Sequence, residues 1–160
     1  MLTLDRFKEA RSVLRGVISD TELVHSQYLS KLCGNEVYLK PENMQVTGAY
    51  KIRGATNKIM ALSQEVGASL RIITASSGNH GMACALSAKR LAYASQVAGV
   101  RATVVMPTTT PLMKVNRTKQ YGAQVILHGA VFDDAAEHAM KLAKEKGLTY
   151  IPPFNDLDVA

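Results

Sequence analysis

The sequence has no tryptophan, only three phenylalanines and six tyrosines, and two cysteines in 160 residues. Each scarcity removes a class of function. Without aromatics interleaved among the basic residues there is no stacking platform for nucleic acid. Cys33 and Cys84 stand far apart, so neither a metal clamp nor a disulfide framework can be read from them. That usage suits a reducing, cytoplasmic compartment. No apolar run approaches the about 18 residues of a membrane span. The opening stretch MLTLDRFKEARSVL is charged and amphipathic and lacks the apolar centre of a secretory signal. Internal repeats and low-complexity tracts are also missing.

What is present is a basic chain with ordinary core content: net charge is +6, and 47% of residues are hydrophobic. The bases are scattered, and their densest groups are Lys114, Arg117, Lys119 and Lys141, Lys144, Lys146. A solvated basic face is the reading for both groups, not a nucleic-acid footprint.

Periodicity organises the chain. Leu4, Phe7, Ala10 and Leu14 recur at helical spacing and predict a first helix to about Arg15, and a short second helix covers Tyr28 to Leu32. EVYLK (36–40) reads as a strand stopped by Pro41. Ile52, Ala55, Ile59, Leu62 and Val66 form one helical stripe that ends at Gly67. Beyond it RIITA (71–75), ATVVM (102–106), QVILH (124–128) and TYI (149–151) read as strands. GNHGMACALSAKRLA follows the first of them as a helix, and Thr110 and Pro111 cap and begin another that ends at Tyr121. A last helix runs from about Asp133 to Lys146, with acids at its start, bases at its end and Gly147 beyond. Strands alternating with helices, each strand apolar on both faces, predict an α/β fold: a doubly wound parallel sheet with flanking helices over residues 53–151.

Two stretches carry chemistry. In TGAYKIRGA (47–55), Lys51 stands between a tyrosine and an isoleucine at the start of a helix. Either it is a snorkelling side chain that starts the helix, or it is a nucleophilic amine for Schiff-base chemistry. TASSGNHG (74–81) lies between a strand and a helix at the carboxyl end of the sheet, where open α/β folds bind ligands. Ser76, Ser77, Gly78 and Asn79 would turn backbone N–H groups toward an anion; an ordinary N-cap is the other explanation. Together, the amine and the anion cradle suit an amino acid held by its carboxylate beside a lysine-bound aldehyde cofactor such as pyridoxal 5'-phosphate (PLP).

LKPENMQVTGAYKIRGA and TASSGNHG, followed by VVMPTTTPLMKVNRTKQYGAQVILHGAVFDDA and IPPFNDLDVA, closely resemble the threonine ammonia-lyases (threonine dehydratases), fold-type II PLP enzymes of the tryptophan synthase β-like family. The resemblance runs over essentially the whole chain; SSGNH is shared with serine racemases and serine dehydratases. It implies that Lys51 is the Schiff-base lysine and takes the Cα proton. Tyr50 occupies a position usually held by phenylalanine against the cofactor, and its hydroxyl needs a partner if buried; Ala49 replaces a serine. Asn79 matches the asparagine that bonds the cofactor's phenolic oxygen. Ser76, Ser77, Gly78, Asn79 and His80 belong to the loop that holds the substrate carboxylate. Ser77 also aligns with the second acid/base of serine racemases. The implied reaction converts threonine to 2-oxobutyrate and ammonia, and serine to pyruvate, in amino-acid metabolism such as isoleucine biosynthesis. His25, His128, His138, Met82, Met106, Met113 and both cysteines are read as structural or packing residues.

The resemblance implies a domain plan too. Residues 1–52 would be the N-terminal segment of a large PLP-binding domain, 53–151 the small α/β domain, and 152–160 the return to the large one. KRLAYASQVAGV (89–100) is several residues longer than the family's usual connection. Family chains run to more than twice this length. The glycine-rich phosphate loop and the residue facing the pyridine nitrogen are expected in the other half, and none of the 11 dispersed glycines replaces that loop. Exposed apolar surface then favours association, as a homo-oligomer or with a complementing C-terminal portion. Two expectations result: the N-terminal portion of a PLP-dependent lyase, or a non-catalytic α/β module. Amino acids are the expected ligands, with no nucleic acid or membrane partner.

Overall fold

The computed structural model describes residues 2–94 and 101–159. Six helices are assigned among them: α1 (Leu4–Leu14), α2 (Gln27–Cys33), α3 (Lys51–Val66), α4 (Asn79–Ala94), α5 (Leu112–Gln120) and α6 (Phe132–Lys146). The strands are β1 (Val24–His25), β2 (Tyr38–Leu39), β3 (Arg71–Ala75), β4 (Arg101–Met106), β5 (Gln124–Leu127) and β6 (Thr149–Tyr150). β1 and β2 form a small antiparallel ribbon. β1 has no sequence signal, since a two-residue strand is too short to show a period.

The main sheet is parallel, in the order β5-β4-β3-β6. α4 and α5 carry the chain outward through β4 to β5, and α6 then recrosses the sheet to place β6 beside β3. That reversal makes the sheet doubly wound and sets a switch point at β3, where ligand crevices form. Alternation along the strands feeds both faces. Ile72 and Val104 join Ile52, Ile59, Ala83 and Ala88 in one core, and Ile73 and Val105 pack with Ala135 and Ala139 of α6 in the other. Burying a side chain such as Ile72 contributes about 1.5–3 kcal/mol.

Several expectations need correction. β5 is not apolar on both faces: its ends, Gln124 and Leu127, are exposed because it is a sheet edge. Pro111 is the N-cap of α5 (ψ 132) and not its first helical residue, and the buried Thr110 hydroxyl has no partner. Met82 and Met106 are buried as expected, but Met113 is 74% exposed, on the outer side of α5. The apolar stripe of α1 exists, yet only Leu14 is buried, while Leu4 and Phe7 lie open. Within KRLAYASQVAGV, α4 runs on to Ala94, and positions 95–100 lie outside the described residues.

The start of α3 is held by a polar network. Arg53 forms a two-pronged pair with Glu42 (Nε–Oε2 and Nη2–Oε1, both 2.8 Å), and Thr21 donates to Glu42 Oε1 at 2.6 Å. The guanidinium holds the Glu42 carboxyl down at about 2. Gln45 and Ser19 exchange two hydrogen bonds beside it. Further along α3 the chain end docks: Lys58 Nζ lies 3.0 Å from both Asp156 and Asp158, and Asn57 donates to Asp158 O. Gly54 makes this approach possible, since a Cβ there would lie 2.0 Å from Val159 O.

Candidate active site

Four connections at the carboxyl ends of the strands converge on one cleft of about 300 Å³. β3 contributes Ser76 to Gly78 with Asn79 and His80, the β4–α5 side contributes Lys114, the β5–α6 side Phe132, and the chain after β6 Pro153 and Phe154; Lys51 enters from the start of α3. The structure therefore brings Lys51 together with Ser76, Ser77, Gly78, Asn79 and His80, which are scattered over thirty positions of sequence. Tyr50 is not part of the lining. It is 58% exposed, so its hydroxyl needs no protein partner, and its ring centroid sits 5.2 Å from Lys51 Nζ.

Lys51 is half-buried and donates to Pro153 O at 2.6 Å. Its partners among the described residues are this neutral carbonyl and the aromatic face of Tyr50, and no carboxylate is paired with it.

The loop before α4 is shaped by its own hydroxyl. Gly78 N–H donates to Ser76 Oγ at 3.0 Å, and Ser76 N–H donates to Val105 O at 3.0 Å. Both groups are thus engaged, while the N–H groups of Ser77, Asn79 and His80 have no partner among the described residues. The side chains of Ser77 and Asn79 are exposed toward solvent. Gly78 has φ +152°, which L side chains rarely adopt, and a Cβ there would meet Lys114 Cδ at 2.5 Å.

His80 is 3% exposed. Its Nε2 faces Ile151 O at 3.3 Å and Cys84 Sγ at 3.5 Å. A carbonyl oxygen only accepts, so Nε2 carries the proton and Nδ1 is a bare acceptor, buried without a partner. Burial pushes the imidazole down to about 4, and the charge of Lys51 adds to the effect. His80 is a neutral ring at physiological pH.

Sequence reading missed Lys114, Phe132, Pro153 and Phe154. The phenyl rings of Phe132 and Phe154 pack tilted, 6.1 Å between centroids, and add an apolar part to the cleft lining. The only sequence signal for these four was their position just beyond strands. The remaining histidines lie outside the cleft lining: His25 touches Ser30 and Glu36, and His128 stacks on His138 at 3.9 Å. Cys84 is buried, which pushes its thiol up, and Cys33 is exposed. No group of three or more metal-ligating side chains occurs among the described residues, and no described helix is long and apolar enough to cross a membrane.

Known proteins resemble this chain in sequence and fold. The L-threonine ammonia-lyase of Thermotoga maritima is 45% identical over 156 residues, which cover 98% of this chain and 37% of the relative. The processed form of threonine deaminase isoform 2 from Solanum lycopersicum superposes with a TM-score of 0.81 at 36% identity, over 99% of this chain and 43% of its own. A pyridoxal 5'-phosphate-dependent aspartate racemase superposes with a TM-score of 0.88 at 33% identity, covering 99% of this chain and 47% of that one. The chain thus spans less than half the length of the relatives it matches. Its residues 14–160 also match the family described as pyridoxal-phosphate dependent enzyme. The chain belongs to that family of pyridoxal-phosphate dependent enzymes.

Proposed function

We propose that these residues are the N-terminal portion of a PLP-dependent ammonia-lyase that acts on L-threonine and also on L-serine. The observation that carries this reading is the single cleft shared by the Lys51 amine and the unpaired N–H groups of Ser77 and Asn79. In this reading residues 1–52 belong to a large cofactor-binding domain, 53–151 form the small domain, and 152–160 lead back. The enzyme would work in the cytoplasm, as a homo-oligomer or with a complementing C-terminal portion. The open apolar side chains of α1 and of the β1–β2 ribbon support association.

The residues present fit the aldehyde end of PLP. Lys51 offers an amine whose hydrogen bond goes to a neutral carbonyl, and the Asn79 side-chain amide is unengaged beside it. Nothing in the cleft provides a phosphate cradle, which accords with a cofactor held partly elsewhere in a longer chain. Bound PLP supplies an aldehyde that captures an amine and a ring that accepts electron density from the substrate's Cα.

This chain's own residues then have separate roles. Tyr50 flanks the Lys51 amine, which accepts the Cα proton once freed from Pro153 O, as general base. Ser76 sets the turn by binding Gly78 N–H, and Gly78 lets the substrate approach. The N–H groups of Ser77, Asn79 and His80, at the positive end of α4, hold the carboxylate. Loss of the β-hydroxyl as water and hydrolysis of the enamine give 2-oxobutyrate and ammonia. Neutral His80 adds no further positive charge to the cleft that Lys51 and Lys114 line.

A racemase is the second reading. It is favoured by the exposed Ser77 hydroxyl on the cleft, a second group beside Lys51 able to exchange a proton.

The test is a PLP titration of the purified chain, borohydride reduction and peptide mapping. A pyridoxyl group concentrated on Lys51 is expected. Equal labelling of the surface lysines would overturn the proposal and leave a non-catalytic α/β module. Adding a C-terminal portion from a relative should then restore threonine-dependent release of 2-oxobutyrate. Inversion of serine without keto-acid formation would favour the racemase.

A further inference from the structure

Lys114, grouped by sequence with a solvated basic face, stands apart from it in the structure. Its side chain is laid across Gly78: a Cβ at that glycine would lie 3.2 Å from Lys114 Nζ. Its ammonium has neither an ion-pair nor a hydrogen-bond partner among the described residues, and no acidic side chain lines the cleft. The other ammonium of the cleft, Lys51, is already bonded to Pro153 O. A half-buried cation without a counter-charge has lost hydration with nothing in return, until an anion enters.

The neighbouring groups point to the same ligand. The free N–H groups of Ser77 and Asn79 open toward the same space at the start of a 16-residue helix. His80, 3% exposed and lining the cleft, keeps its Nδ1 unpartnered, an acceptor that suits the ammonium end of an amino acid and not its carboxylate. The cleft is also lined by Phe132 and Phe154, whose side chains offer no charge and no hydrogen bond. The lining thus combines a cation and backbone donors with two apolar rings. That polarity fits a small molecule with a carboxylate at one end and a short side chain at the other.

We infer that Lys114 is a specificity-determining residue, whose ammonium selects the carboxylate of the incoming amino acid above Gly78. This rests on the reading that the cleft receives an amino acid. Phe132 and Phe154 then face the side chain, which favours threonine, with its methyl group, over serine.

The test is a titration of the ¹⁵N-labelled chain with L-threonine, acetate and L-threoninamide, following the backbone amides of residues 77–79. Threonine and acetate should shift these amides; threoninamide, which lacks the carboxylate, should not. In K114M the apparent Kd for threonine should rise about tenfold, as expected for losing one charge-assisted hydrogen bond. K114R should stay within about threefold, because it keeps the charge. The salt dependence of binding should flatten in K114M. Unchanged affinity in K114M, or no shift at residues 77–79 in the parent chain, would overturn the inference. Borohydride trapping on the same samples separates the two readings. Lys51 labelling with a Lys114-independent titration would remove only the role of Lys114. A Lys114-dependent titration without Lys51 labelling would remove the cofactor chemistry and leave the carboxylate site standing.

Discussion

Lys51 Nζ and the carbonyl oxygen of Pro153 lie 2.6 Å apart although 102 positions separate them in the chain. The amine at the start of α3 is thus fastened to the backbone that leaves β6. Pro153 is buried as a residue, and the Lys51 amine is the donor its carbonyl has across the cleft. K51M should cost about 1–2 kcal/mol of stability, the penalty of a buried acceptor left without a donor. Urea denaturation of the two chains checks this. A neutral result would show that the bond yields easily when the amine is called on elsewhere.

Gly54 sets how closely the chain end can approach α3. In G54A the Cβ would collide with backbone at Val159, at 2.0 Å, and backbone gives less readily than a side-chain tip. The expected outcome is loss of about 2–4 kcal/mol, in the range of severe overpacking. The Asp156 and Asp158 pairs with Lys58 should be lost with it. Limited proteolysis should cut after residue 152 in the variant long before the parent.

The network at Glu42 predicts a large response to a small change. E42Q keeps the shape but removes the charge that Arg53 grips, and should cost about 1.5–3 kcal/mol. The Glu42 carboxyl is held at about 2, below its unfolded value. Its contribution is therefore fully present above pH 4.5 and is lost as pH falls toward 2. An acid-unfolding curve for E42Q should be shallower than the parent's in that window.

His80 governs a different window. Its folded value of about 4 lies below the ordinary imidazole value, so the unfolded chain binds the proton more readily. Stability is fully present above pH 6.5 and declines as pH falls to 4, by about 3 kcal/mol. H80N should flatten urea midpoints across pH 4–6.5. If the parent shows no slope there, the imidazole is reached by solvent.

Thr56 Oγ1 and Ser87 Oγ form a buried pair 2.7 Å apart where α3 packs on α4. T56V alone leaves Ser87 stranded and should cost about 1–3 kcal/mol, whereas T56V with S87A should recover most of it. Thermal midpoints of the two single variants and the double variant close the cycle.

Long-range order was legible in the sequence wherever a period had room to repeat. The stripe from Ile52 to Val66 and the run RIITA match α3 and β3 closely, and the alternation of strands and helices gave the parallel sheet. β1 was hidden because two residues carry no period, and the exposure of Leu4 and Phe7 because a stripe reports a face without saying what covers it. Of the cleft, the contiguous loop 76–80 and Lys51 could be read from local composition. Lys114, Phe132 and Phe154 could not, since they meet only through the order in which the strands pair. The same holds for the two loop N–H groups already engaged: Ser76 Oγ capping Gly78 N–H depends on backbone torsions that a list of residue types does not contain.

The placement of β6 beside β3 has a consequence during synthesis. Lys51 leaves the ribosome 102 residues ahead of the carbonyl that will hold it. At about 5–20 residues per second that interval lasts roughly 5–20 s. Through it the nascent chain carries an unguarded amine and a half-built crevice. Small aldehydes and chaperones would meet the emerging polypeptide before the last strand closes the gap.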